Sequence, residues 1–166
     1  MSINCNKLLG TSNFSASSLY LKFDGKEIIE TDIVNPLLIG IPRRGDHLAK
    51  RISSNLESFN YSHDLDTVNY KPFRDDLEKE GDKSSLIINP TDRDVVLIDD
   101  VVFTGRTLRA SLEAVIFSGR AKSISVACLI DRGHRELPIS PKFIGKNIPL
   151  SLIHISEPTR LLSMSY

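Results

Sequence analysis

Little in this 166-residue chain points to export or to a membrane. It has two cysteines, Cys5 and Cys128, too few and too far apart for a disulfide framework. Cys128 lies inside an apolar run, where a buried free thiol is expected. No apolar run approaches the ~18 residues of a membrane span. The start, MSINCNKLLG, lacks the basic-then-apolar pattern of a secretory signal. A cytoplasmic protein with no membrane partner is therefore expected. Charge of one sign is also missing: 21 basic and 21 acidic side chains give a formal net charge of zero. Global attraction to nucleic acid or to an anionic membrane is not expected, though a local basic face stays open. Two glycine signatures, GxGxxG and GxxxxGK[ST], are absent, which weighs against a dinucleotide-dependent dehydrogenase or a nucleoside triphosphatase. What remains is ordinary for one soluble globular domain, with 40% hydrophobic and 25% charged residues.

The organisation follows from apolar periodicity. Residues 1–30 form a poorly defined N-terminal segment, rich in Ser, Asn and Thr over 1–18, with a weak helix from Ser18 to Glu30 broken at Asp24-Gly25. Pro36 to Ile41 is a short continuous apolar run, the mark of a strand buried on both faces. After Pro42-Arg43-Arg44-Gly45, the stripe of Leu48, Ile52, Leu56 and Phe59 predicts a helix from His47 to Phe59. Asp64 to Phe73 reads as extended, and Arg74 to Ser85 as an exposed charged loop. Asp94 to Ile98 is a buried strand with Asp99 and Asp100 at its end, and Val101 to Thr107 is a turn. Leu108, Leu112, Val115 and Ile116 mark a helix closed by Gly119. Ser123 to Ile130 is another strand. Two strand–helix–strand units, 36–70 and 94–130, predict an α/β domain with a parallel sheet. Ligands of such sheets sit outside the carboxyl ends of the strands. Those ends carry the loops 42–45, 99–107 and 131–138.

The loop 99–107, DDVVFTGRT, has the richest chemistry. The first turn of a helix offers free N–H groups and the positive end of its dipole. Gly105 lets backbone approach a ligand closely, and Thr104 and Thr107 add hydroxyls. Two adjacent acids would repel phosphate, but they suit sugar hydroxyls or a Mg²⁺ that travels with phosphates. Taken singly, Asp99 and Asp100 read equally well as solvated strand-end charges and Thr104 as a plain N-cap. Taken together, they indicate a phosphorylated sugar.

The stretch VVLIDDVVFTGRT, Val95 to Thr107, resembles the phosphoribosyl pyrophosphate (PRPP) motif of type I phosphoribosyltransferases. IPRRGDHLAKRI (41–52), FRDDL (73–77), IDRGHRELPI (130–139) and GKNIP (145–149) resemble more narrowly the bifunctional pyr operon attenuator/uracil phosphoribosyltransferase family. The resemblance implies a parallel sheet flanked by helices with a small hood over the site, over residues 31–149. It implies transfer from PRPP to uracil, giving UMP and diphosphate, with Mg²⁺ accompanying PRPP. Asp99 and Asp100 would hold the ribose 2′- and 3′-hydroxyls and, through PRPP, the metal. The loop Val101, Val102, Phe103, Thr104, Gly105, Arg106 and Thr107 would wrap the 5′-phosphate. Arg43, Arg44 and Gly45 would take the diphosphate. Arg74, with Asp75 and Asp76, would belong to a loop that closes over the site, Arg74 binding the departing diphosphate. The catalytic set is thus Asp99, Asp100 and Arg74. Residues 131–138 would form the hood, with Arg132 lining the base site and His134 as a contact. His47, His63 and His154 show no metal-ligand spacing.

The same family includes proteins that bind pyrimidine-operon mRNA when UMP is bound. Lys50, Arg135 and Lys146 are the candidate RNA contacts, with Arg51 and Lys142 beside them, and an ordinary solvated face accounts for the same residues. A homo-oligomer is expected from the resemblance. An RNA-binding attenuator with weak or no catalysis, and a type I phosphoribosyltransferase for another base, are the alternative readings. The tail 150–166 departs from the family's continuation and looks more like translated adapter DNA than a native ending.

Overall fold

The computed structural model describes residues 23–75 and 85–148. Five strands form one sheet: β1 (Leu37–Gly40), β2 (Asp64–Thr67), β3 (Asp94–Val102), β4 (Ser123–Asp131) and β5 (Phe143–Asn147). Their order is β2-β1-β3-β4-β5, and every pairing is parallel. Helices α1 (Lys26–Ile29), α2 (Gly45–Ser58) and α3 (Arg106–Ser118) complete the described elements, with a 3₁₀ turn at Lys71–Phe73.

The sheet is covered on both faces, which is why β1 is apolar at every position that has a side chain to bury. Leu38, Val96, Ile98, Ala127 and Leu129 pack against Leu48, Ala49, Ile52 and Leu56 of α2 and Ile28 of α1. Leu37, Ile39, Val95, Leu97, Val126 and Cys128 pack against Leu108, Ala110, Ala114 and Val115 of α3. Each fully buried aliphatic side chain stabilises the fold by about 1.5–3 kcal/mol, so these two layers dominate its stability. Cys128 is a buried free thiol, as expected, while Cys5 lies outside the described residues.

Several boundaries, and one whole strand, differ from the sequence expectation. Helix α2 starts at Gly45 rather than His47. The extended stretch stops at Thr67, and Pro72, which has no N–H for a ladder, sits in the 3₁₀ turn instead. β3 does not end at Ile98: it continues to Val102 because β4 runs on beside it, pairing Asp99 with Cys128 and Val101 with Ile130. β5 was not anticipated at all; it pairs along β4 from Ala127↔Phe143 to Asp131↔Asn147. At the other sheet edge, Asp66 accepts the N–H groups of Thr67, Ile87 and Ile88 at 2.7–2.8 Å and so fastens the chain leading to β3. Asp76 and His154 fall outside the described residues, as do 1–22, 77–84 and 149–166. No helix among the described residues is long and apolar enough to cross a membrane.

Candidate active site

The strand order sets the place of the site. From β1 the chain crosses through α2 to β2 on one side, and β3 then returns on the other side of β1. This reversal opens a crevice at the carboxyl ends of β1 and β3. β1 pairs with β3 only as far as Gly40↔Ile98. Beyond that point β3 keeps β4 as a neighbour and faces open space where β1 has ended. A cavity of about 310 Å³ lies there. Ile41, Pro42, Arg43 and Arg44 line one side, Asp99, Asp100 and Val101 another, with Phe103, Thr107, Arg132 and Tyr70 closing it.

The acidic pair therefore stands within a strand, not in a turn. Burial, and the neighbouring Asp100 carboxylate, push the Asp99 carboxyl up to about 8. That shift favours the neutral form of Asp99, which both donates and accepts a hydrogen bond. Its Oδ1 accepts the Asp100 N–H at 2.9 Å, and Asp100 Oδ1 accepts the Val101 N–H at 2.8 Å. Arg44 Nη1 lies 3.6 Å from Asp100 Oδ2 across the cavity.

Two glycines shape the walls. A Cβ on Gly45 would stand 2.4 Å from the Ile98 carbonyl oxygen and 3.0 Å from Asp99 Cα. Only a bare α-carbon lets the start of α2 press against β3 there, so the close approach at Gly45 is to the sheet. Gly105 has φ 91° at the N-cap of α3, a left-handed value that favours glycine. No Cβ-borne group caps this helix from Gly105. Thr104 Oγ1 stands 3.4 Å from the Arg106 N–H, a long contact that leaves the first-turn donors open to an anion. Arg43, beside the acids, also takes a left-handed φ of 94°. Such strain in a residue other than glycine costs about 1–3 kcal/mol and clusters at ligand sites.

The hood and neighbouring loops meet this wall. The Arg132 guanidinium sits 4.7 Å from the centroid of the Phe103 ring, and the His134 ring stacks on the same ring at 5.2 Å. Arg106 points away from the cavity, its Nε donating to Glu136 at 2.6 Å and its Nη1 to Asp75 at 3.0 Å. Arg74 lines a second recess of about 250 Å³ with Asp75, Arg106 and Thr107. The geometry brings Arg43, Arg44, Asp99, Asp100, Val101, Phe103, Thr107 and Arg132 to one cavity. Val102, Thr104, Gly105 and Gly45 do not line it, and Arg74 lines the other recess, which shares Thr107 with the cavity. Tyr70 had not been singled out, since nothing in its neighbourhood forms a motif.

The basic candidates sit on three different segments of the chain. Lys50 is exposed on α2, which packs over β1, β2 and β3, whereas Lys146 is half-buried on the edge strand β5. Arg135 turns inward, its side chain 19% exposed and paired with Asp131. His63 is bonded to Ser53 and to the Tyr61 carbonyl, a structural arrangement. No three His, Cys, Asp or Glu side chains among the described residues gather into a metal cage. One or two carboxylates beside an open cavity instead fit a Mg²⁺ held mainly by a ligand's phosphate oxygens.

The model of the phosphoribosyl transferase domain matches residues 23–163. The bifunctional protein PyrR of Streptococcus equi subsp. zooepidemicus is 47% identical over 131 residues, 75% of this chain and 74% of that protein. The bifunctional protein PyrR of Streptococcus suis is 44% identical over 139 residues, 79% of this chain and 80% of that protein. Among solved structures, a hypoxanthine phosphoribosyltransferase from Staphylococcus aureus superposes with TM-score 0.63 at 16% identity, covering 90% of this chain and 84% of that one. A hypoxanthine-guanine phosphoribosyltransferase from Bacillus anthracis gives TM-score 0.65 at 15% identity, covering 83% and 82%. At such identity the two structures speak for the fold alone.

Proposed function

Because the chain belongs to the phosphoribosyl transferase domain family, and within it to the bifunctional PyrR proteins, we propose that it transfers the phosphoribosyl group of PRPP to uracil, releasing UMP and diphosphate. The observation that carries this reading is a single cavity with an acidic pair on one wall, arginines on the facing wall and an uncapped helix start beside them. Those three features match the three parts of PRPP: ribose hydroxyls, diphosphate and 5′-phosphate.

In this reading Asp100 accepts from one ribose hydroxyl, and the protonated Asp99 bonds to its neighbour. The N–H groups of Thr104 to Thr107 and the two threonine hydroxyls hold the 5′-phosphate. Arg44 exchanges its 3.6 Å contact with Asp100 for the diphosphate, and Arg43 adds a second guanidinium. Arg74 meets the departing group from the adjoining recess. Uracil N1 bonds to C1′ as the C1′–diphosphate bond breaks, with loss of the N1 proton. Positive charge grows on the ribose and negative charge on the leaving group, so fixed charges and positioning lower the barrier. Mg²⁺ bound to PRPP would neutralise the diphosphate, with Asp100 the carboxylate placed to reach it. Arg132, held on the Phe103 ring, faces the base.

The family membership also motivates UMP-dependent binding of pyrimidine-operon leader mRNA by a cytoplasmic homo-oligomer. The decisive assay is UMP formation from uracil, PRPP and Mg²⁺ by this chain and by its Asp99→Asn/Asp100→Asn variant. UMP from the parent alone supports the reaction and the acidic pair. A folded parent that binds PRPP yet makes no UMP sinks the catalytic claim. Hypoxanthine and orotate in place of uracil test the choice of base, and a UMP-dependent, salt-sensitive gel shift with pyr-leader RNA tests the regulatory half.

A further inference from the structure

Hood and phosphate loop are joined by backbone bonds at two points. The Arg132 N–H donates to the Val102 carbonyl and the Glu136 N–H to the Thr104 carbonyl, each at 3.0 Å. Between these points a side chain spans the gap. Arg135 Nη1 donates to the Phe103 carbonyl at 2.8 Å. Arg135 Nη2 lies 2.6 Å from Asp131 Oδ1, an oxygen that also accepts the Gly133 N–H at 2.8 Å. The Asp131 and Arg135 side chains are only 10% and 19% exposed. A guanidinium so enclosed, with one arm on a carboxylate and the other on a carbonyl, fixes orientation as well as distance. The carbonyl it grips belongs to Phe103, the residue that opens the loop to Thr107, and the ring of the same residue carries Arg132 and His134.

We propose that Arg135 is a positioning residue of the phosphate loop. Braced by Asp131, it holds the Phe103 carbonyl and thereby sets the backbone from which the N–H groups of Thr104 to Thr107 meet the 5′-phosphate. The inference rests on the PRPP-transfer reading and deepens it. It also reassigns a residue whose charge in sequence points to RNA: a phosphate contact on RNA needs a guanidinium on an open basic face, and this one is committed beneath the hood. Without it, the Phe103 carbonyl loses its donor and Asp131 its cation, both in poorly solvated surroundings where such losses are felt most.

The full-length parent, Arg135→Gln and Arg135→Lys are compared by amide hydrogen exchange and by calorimetric titration with PRPP and Mg²⁺. In Arg135→Gln the N–H groups of Arg132 and Glu136, which bond to the Val102 and Thr104 carbonyls, should exchange roughly tenfold faster, while those of Val95 to Ile98 keep their parental rates. PRPP affinity should fall by roughly tenfold, with KM for PRPP rising in step and KM for uracil nearly unchanged. Arg135→Lys keeps the charge beside Asp131 but lacks the fork, so it should fall between the two. It also carries the test if Arg135→Gln does not fold. Parental exchange at Arg132 and Glu136, or parental PRPP affinity, in a folded Arg135→Gln overturns the proposal. So does loss of pyr-leader RNA binding as that variant's only change. If the parent itself binds no PRPP, the transfer reading has failed, and the exchange rates alone decide whether Arg135 holds the loop.

Discussion

Asp99 shows how much one residue's surroundings decide. Its neighbours in sequence suggest a solvated charge, yet β3 carries it into the sheet beside Cys128. Its carboxyl is raised to about 8 there, chiefly by burial and next by Asp100. The unfolded chain releases that proton near its ordinary value, while the folded chain keeps it. The folded state therefore binds more protons between about pH 4 and pH 8, and stability falls as pH rises through that window. Asn at this position is neutral throughout and still accepts the Asp100 N–H. Asp99→Asn should melt with the parent near pH 4 and well above it at pH 8, as followed by circular dichroism. An equal offset at both values would contradict the raised carboxyl. Arg135 teaches the same lesson differently. Its charge was legible, but its partners were not, because Asp131 and the Phe103 carbonyl meet it only through a hood with no periodicity to read.

At the scale of elements, α2 and α3 followed from their apolar stripes, although Phe59 and Ile116, counted in those stripes, are exposed, and β1, β3 and β4 followed from continuous apolar runs. β5 was not legible because Phe143–Asn147 carries a glycine and a lysine and is mostly half-buried at an edge. The far end of β3 was missed because two aspartates are poor strand formers, and β4 alone supplies their ladder. The junction of α2 with β3 yields a sharp expectation. Gly45→Ala sets a methyl against the Ile98 carbonyl, which belongs to backbone and cannot swing aside. It should cost about 1–3 kcal/mol or more, read as a lower urea midpoint, and should also weaken PRPP binding because Asp99 sits at the point of contact. Ser111 on α3 offers the reverse case: its buried hydroxyl has no hydrogen-bond partner among the described residues. Ser111→Ala should raise stability by roughly 1 kcal/mol, and a drop in melting temperature would show that the hydroxyl is satisfied after all.

Across the whole molecule, the fold class was legible because the two strand–helix–strand units could be counted, and the place of the site followed from the order in which they are joined. The cavity's polar lining was largely legible through the 41–52 and 95–107 segments. Tyr70 was not, since only the path of the chain past β2 brings it there. One feature of that architecture reaches beyond chemistry. The acids ride on a nine-residue strand that is laddered to β4 through its last residue, Val102, rather than on a loop that can fray ahead of the sheet. On heating, the capacity to bind the sugar and the integrity of the sheet should disappear together, in one transition. Ligand-binding and far-ultraviolet melting curves recorded on the same sample should therefore superimpose, and the protein should have no temperature range in which it is folded but blind to its substrate.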